Sequence, residues 1–166
     1  MRTTTLQRMV FSTACGLGLA LLAAAGTGCD GGSHSCGTAP TQPITAFVVT
    51  IRTGSEGTDM DIDFCYKRVS QSDYSCTLMD SSGNDFEAGQ TDVFQINLST
   101  PIAVGDLDRF KILNTGGGFF ELTWEIASIR IDGILADGTT VTLYTETEID
   151  DDLYANEAYY PATCEY

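Results

Sequence analysis

The sequence predicts an all-β protein, an antiparallel two-sheet β-sandwich of about eight strands. Three observations predict it. Segments rich in β-branched and aromatic residues recur at short intervals between residues 45 and 146. Gly, Asp, Asn and Ser cluster between them, as turns require. Beyond residue 30 no helical pattern runs longer than two turns. Short strands with one apolar face bury that face by stacking sheet on sheet.

Each element follows from its own pattern. Thr45–Arg52 is rich in β-branched residues. Asp59–Tyr66 alternates strictly, with Met60, Ile62, Phe64 and Tyr66 on one side and Asp59, Asp61 and Asp63 on the other. Acids on one face of a period-two segment mark a half-buried antiparallel strand and a solvated outer face. Tyr74–Met79 and Val93–Leu98 follow, and Cys76 is expected to share its face with Tyr74 and Leu78. Asp108–Asn114 places Phe110, Ile112 and Asn114 on one side. In Glu121–Asp132, Leu122, Trp124 and Ile126 change parity to Ile129 and Ile131, so a bulge is expected near Ala127-Ser128. Thr139–Glu146 closes the series after an Asp137-Gly138 turn. Ile149–Ala158, with its acids at 150–152, reads as a short acidic helix or an arm.

The start of the chain reads as an address. Arg2 and Arg8 precede an uncharged Leu/Ala-rich run from Met9 to Ala25, and small residues lead to Cys29. This is a bacterial-type secretory signal over residues 1–28, with a lipobox-like end that makes Cys29 the lipidation candidate. Residues 29–42 are rich in Gly, Ser, Thr and Pro and read as a flexible tether, and 43–166 as one domain. Lipidation would hold the protein in the cell envelope, in the periplasm or at the cell surface. Plain cleavage near Ala25 would give a secreted protein. An uncleaved span would be at the short limit for a bilayer. All three routes export the domain.

Cysteine usage agrees with export. Cys15 leaves with the signal and Cys29 carries the lipid, so Cys36, Cys65, Cys76 and Cys164 remain. Four cysteines in an oxidising compartment allow three connectivities, of which Cys65–Cys76 and Cys36–Cys164 are favoured. The first pair flanks a short connection between strands. The second would clip the chain ends together.

Charge excludes several functions. The chain of 166 residues holds 8 Lys+Arg against 23 Asp+Glu, a net −15, and loss of Arg2 and Arg8 takes it to −17. Nucleic acid is excluded as a partner, because a phosphate backbone needs cations. The single His, His34, lies in the tether, so no Ser-His or Cys-His engine and no His-based metal centre fits the folded body. The chain reads as non-catalytic.

Two loops and one tip carry candidate chemistry. Asp80 to Glu87 puts Asp80, Asp85 and Glu87 beside Asn84 and the freely turning Gly83. Ca²⁺ takes six to eight hard oxygens, and such a loop supplies carboxylates and carbonyls. Thr53-Gly54-Ser55-Glu56-Gly57-Thr58-Asp59 is a second acidic Gly-rich loop. Gly116-Gly117-Gly118 leads to Phe119 and Phe120, an aromatic pair suited to membrane or ligand contact.

Taken in order, these pieces resemble the PLAT (lipoxygenase-homology) domain. Thr53-Gly54 with Gly57-Thr58-Asp59 and an alternating strand comes first. Phe86, Gly89, Asp92 and Phe94 come second, then Gly105-Asp106-Leu107 with Phe110 and Ile112, then Trp124 ahead of Ile129-Arg130-Ile131. The stretch from Asp80 through Gly83-Asn84-Asp85-Phe86 to Ala88-Gly89 is similar to the calcium loop in the C-terminal lipid-binding domain of clostridial phospholipase C toxins. The resemblance implies an eight-stranded sandwich with Ca²⁺ sites at one end that serve lipid, membrane or protein docking. By position it implies one site from Asp80, Gly83 and Asp85, and a contribution to another from the Gly57 carbonyl. Ser55 and Ser81 stand where the toxin-like pattern has an acid and an Asn, which moves the weight to the Asp80–Asp85 site. The expected function is a Ca²⁺-dependent module whose partner is a lipid or membrane surface or an envelope protein. A metal-free structural lipoprotein and a carbohydrate-binding sandwich are the alternatives.

Overall fold

Nine strands build two antiparallel sheets among the residues that the computed structural model describes, 40–81, 83–116, 123–149 and 151–161. They are β1 (Ile44–Thr53), β2 (Asp61–Arg68), β3 (Ser75–Leu78), β4 (Thr91–Ile102), β5 (Leu107–Gly116), β6 (Thr123–Leu135), β7 (Thr140–Glu146), β8 (Asp151–Tyr154) and β9 (Ala158–Tyr159). One sheet runs β4-β1-β6-β7, with β8 also on β6, and the other runs β3-β2-β5-β9. The signal peptide, Cys29, Cys36, Cys164, Phe119, Phe120 and most of the tether lie outside the described residues.

The alternation seen in the sequence becomes the core. Ile62 and Phe64 of β2, Phe110 and Ile112 of β5, and Phe47, Val49 and Ile51 of β1 are fully or almost fully buried. Phe47 meets Phe64 at 5.4 Å and Phe110 at 5.7 Å between ring centroids, which joins the two sheets through aromatic edges. Toward one end, Phe86 packs on Phe94 at 5.3 Å and on Trp124 at 5.0 Å. The expected bulge is present, since Arg52 pairs with Ser128 and Thr53 with Ile126, leaving Ala127 as the extra residue. Asn114 is buried and satisfied. Its amide donates to the Leu153 carbonyl and its side-chain oxygen accepts from Gly116 N–H.

One expectation is corrected. Ile149–Ala158 is neither helix nor loose arm. β8 pairs with the start of β6 and β9 with β5, so this segment borders both sheets. As expected, Cys76 shares its face with Tyr74 and Leu78, and that face is the outer one. Leu78 is 46% exposed and Tyr74 lies under Lys111, at 4.5 Å, on the outer face. That places Cys76 on the same outer face as Cys65, directly opposite in register, and the two form a disulfide. β3 has no buried side chain, so the strand is an outer flap on β2.

Candidate functional site

Three segments meet at one end of the sandwich. The loop after β1 is held from two sides. Gly54 N–H donates to the Glu125 carbonyl at 2.9 Å, and Gly89 N–H donates to the Gly54 carbonyl at 2.7 Å. Thr53 is buried, and its hydroxyl accepts the Trp124 indole N–H at 3.1 Å. Gly57 then touches the second loop so closely that a Cβ there would lie 2.7 Å from Ala88 N and 2.8 Å from Phe86 O. Only glycine fits that approach. Thr58 N–H donates to the Phe86 carbonyl at 3.0 Å, completing the seam.

The second loop is anchored by Phe86. Its ring is buried, and its backbone has φ of 60°, a left-handed conformation unusual for a bulky side chain. Such a conformation costs about 1–3 kcal/mol and persists where the surroundings impose it. Here the ring is clamped between Phe94 and Trp124, and the N–H donates to the Asp92 carboxylate at 3.0 Å. The kink holds Gly83, Asn84 and Asp85 outward at the rim. Asp85 accepts from Ser81 N–H at 2.7 Å and from the Ser81 hydroxyl, and Asn84 donates to Glu87.

Beside this loop is an open recess of about 210 Å³. Asp80, Gly83 and Asp85 line it, as do Thr58 and Asp59 just before β2 and Asp61 at its start. Met60, Met79 and Phe86, all buried, lie beneath it. Three of the four sequence-predicted residues therefore converge. Gly57 is not among the lining residues, and its visible role is to let the two loops touch. Asp59 and Asp61 were expected only on a solvated face. The signal that places them is the Met79 N–H bond to the Ile62 carbonyl, 2.8 Å, which lays the Asp80 loop across the start of β2. Sequence alternation alone does not encode that contact.

The electrostatics differ around the site. Asp63, further along β2, has its pKa raised by partial burial and then by Asp61. Glu125 is held below the usual carboxylate value by the Ser55 hydroxyl and then the Ser55 N–H, at 2.6 and 2.7 Å. Glu56 accepts from the Thr123 hydroxyl at 2.6 Å. Both glutamates thus fasten the first loop to β6. Among the described residues, Asp63, Cys65 and Cys76 are a set of three acid or thiol groups converging within 4.8 Å, but the two sulfurs are spent in the disulfide. The donors at the recess are carboxylate and carbonyl oxygens, a set that suits a hard cation such as Ca²⁺. Asp80 and Asp85 with the Gly83 carbonyl are the residues that would hold it, completed by water or a ligand. A carboxylate offers about four lone-pair positions, so the Ser81 bonds leave Asp85 acceptor capacity for a cation.

Fold and loop cluster define an antiparallel sandwich domain with an acidic loop end. The family follows from comparison: the PLAT/LH2 domain model matches residues 47–159, and the chain belongs to that family. The phospholipase C of Clostridium novyi is 31% identical over 121 residues, covering 70% of this chain and 29% of that protein. The alpha-toxin of Clostridium perfringens shares the fold, with a TM-score of 0.61 at 23% identity, over 78% of this chain and 33% of the toxin. Coral 8R-lipoxygenase, described with calcium activation through a C2-like domain, aligns with a TM-score of 0.52 at 20% identity, over 70% of this chain and 17% of the enzyme. The chain thus spans about a third or less of each relative.

Proposed function

We propose that this domain is a non-catalytic, Ca²⁺-dependent binding module that docks a lipid or membrane surface, or an envelope protein, for an exported lipoprotein anchored through Cys29. The observation that carries the reading is the meeting of Asp80, Gly83 and Asp85 with Asp59 and Asp61 around one recess, in a chain of the PLAT/LH2 family. Calcium would supply the positive charge that lets an acidic rim meet an anionic headgroup or carboxylate. The chain's own work is positional. Phe86 fixes the loop, Gly57 lets the two loops touch, and Glu125 and Glu56 fasten the first loop to β6.

Calorimetric titration with Ca²⁺ tests the reading, together with vesicle sedimentation with and without chelator. Asp80→Ala and Asp85→Ala are each expected to weaken Ca²⁺ binding at least tenfold while the melting curve without metal hardly moves, since Asp80 is exposed and the Asp85 carboxylate bonds to Ser81 of its own loop. Unchanged titrations in both variants would remove this loop from the account. No heat in the native protein would leave a metal-free interaction module.

A further inference from the structure

The two sheets have four lateral edges, and they are unequal. β3 is four residues long and tied to β2 by the disulfide, and β9 is two residues long. β7 ends in Glu146 and is followed by Glu148, Asp151 and Asp152. β4 is twelve residues long and pairs only with β1 among the described residues. A long strand at a sheet edge presents a row of unpaired N–H and C=O groups, and proteins usually blunt such an edge with charge.

β4 lacks that protection over residues 91–97, which pair residue for residue with β1, whereas beyond Asn97 a register shift and Pro101 blunt the strand. From Val93 to Ile102 it carries no ionisable side chain, in a chain of net −15. Its one acid, Asp92, is partly buried and turned to the Phe86 N–H. Val93 is 61% exposed, and Gln95 and Asn97 on the same face bond each other at 3.0 Å. The opposite face carries Phe94 and Ile96, at the margin of the core.

We propose that β4 is a self-association edge, on which a second copy of this chain adds its own β4 antiparallel about a two-fold axis near Gln95. A second copy fits for two reasons. Two chains of net −15 repel almost everywhere, and this uncharged strip is where they approach at least cost. Pairing about Gln95 also sets Phe94 opposite Ile96 and Val93 opposite Asn97. Each core-facing row then meets a core-facing row, and the apolar layer continues across the junction. The interface is isologous and closes at a dimer.

Cross-linking and mass measurement on the full chain test this. Residues opposite each other in an antiparallel pair have Cα atoms about 4.5–5.5 Å apart, within disulfide reach. Under mild oxidation Gln95→Cys is expected to give a species of twice the chain mass that reductant reverses. Thr142→Cys, on the outer face of β7, is expected to stay at chain mass. Sedimentation should show the native dimer strengthening as salt screens the net charge. Gln95→Glu, which sets two carboxylates face to face, should weaken the dimer at least tenfold, with an unchanged melting curve at concentrations where both chains are monomeric. A native chain that sediments as a monomer at every concentration would overturn the proposal. So would equal cross-linking at both positions, or an association that resists Gln95→Glu or weakens with salt.

Discussion

The acidic loop end and the seam formed by Tyr144, Glu146 and Tyr159 use the same groups for opposite ends. At the seam, Tyr144 and Glu146 of β7 meet Tyr159 of β9, so one carboxylate ties the five-stranded sheet to the four-stranded one. Both phenols donate to Glu146, and their oxygens lie 2.9 Å apart. At the loop end the carboxylates of Asp61 and Asp80 are exposed, and hydrogen bonds serve to shape the rim. Buried polar groups must be satisfied inside the protein, so they fix structure, whereas exposed ones remain available to a ligand. Substitutions at the seam should therefore change stability alone, and substitutions at the rim should change binding alone. Gly57 sits where the two requirements meet.

Gly57→Ala carries the largest expected effect. The new methyl must displace the backbone of the second loop at Ala88 N and Phe86 O, not a flexible side chain. Overpacking of this kind costs about 1–3 kcal/mol. It would also shift the loop that bears Asp80 and Asp85, so both the melting temperature and the Ca²⁺ titration should fall together. A variant that melts like the parent would mean the two loops are not locked as described.

Tyr144→Phe comes next and should separate the two regions. It removes one donor to Glu146, at a cost of about 1–2 kcal/mol, and should leave Ca²⁺ binding unchanged. Its pH signature is specific. Burial, then the bond to Glu146, raise the pKa of Tyr144 far above its ordinary 10, and push Tyr159 up to about 12. Both phenols release their protons later in the folded chain than in the unfolded one. The stability they contribute is thus complete below pH 10 and is lost as pH climbs toward and past 12. Melting curves from pH 8 to 11.5 should decline more steeply in the parent than in the variant. Parallel curves would mean the phenols do not carry the seam.

The same contrast explains what the sequence revealed. β2 and β5 were legible because each buries one face, which imposes period two on Ile62 and Phe64 and on Phe110 and Ile112. β8 was not, because only Leu153 of its four residues is buried and its strand form comes from pairing with Thr123–Ile126. At the candidate site, Asp80, Gly83 and Asp85 were legible because one short loop gathers carboxylates around a freely turning Gly and because its spacing resembles the family's calcium loop. Asp59 and Asp61 join them only through a contact between Met79 and Ile62, residues far apart in sequence. The Tyr144–Tyr159 seam is equally nonlocal, since the two phenols belong to different sheets.

Glu125→Gln has the smallest expected effect and tests the boundary between the regions. Gln keeps an acceptor for the Ser55 hydroxyl and N–H, so the loop should keep its shape and the melting temperature at pH 7 should scarcely change. The carboxylate differs from Gln in its titration. Ser55 holds its pKa below the ordinary 4.5, so folding favours the ionised form. That contribution is present above about pH 4.5 and disappears as pH falls through the folded-state value. Asp108, lowered by Lys67, and Asp137, lowered by Thr139, act in the same direction and remain in the variant. Between pH 3 and pH 6 the variant should therefore lose stability less steeply than the parent, but not become flat. Identical acid limbs would mean that the Ser55–Glu125 clasp contributes nothing to folding, and that the remaining contacts of Gly54, Glu56, Gly57 and Trp124 hold the first loop in place.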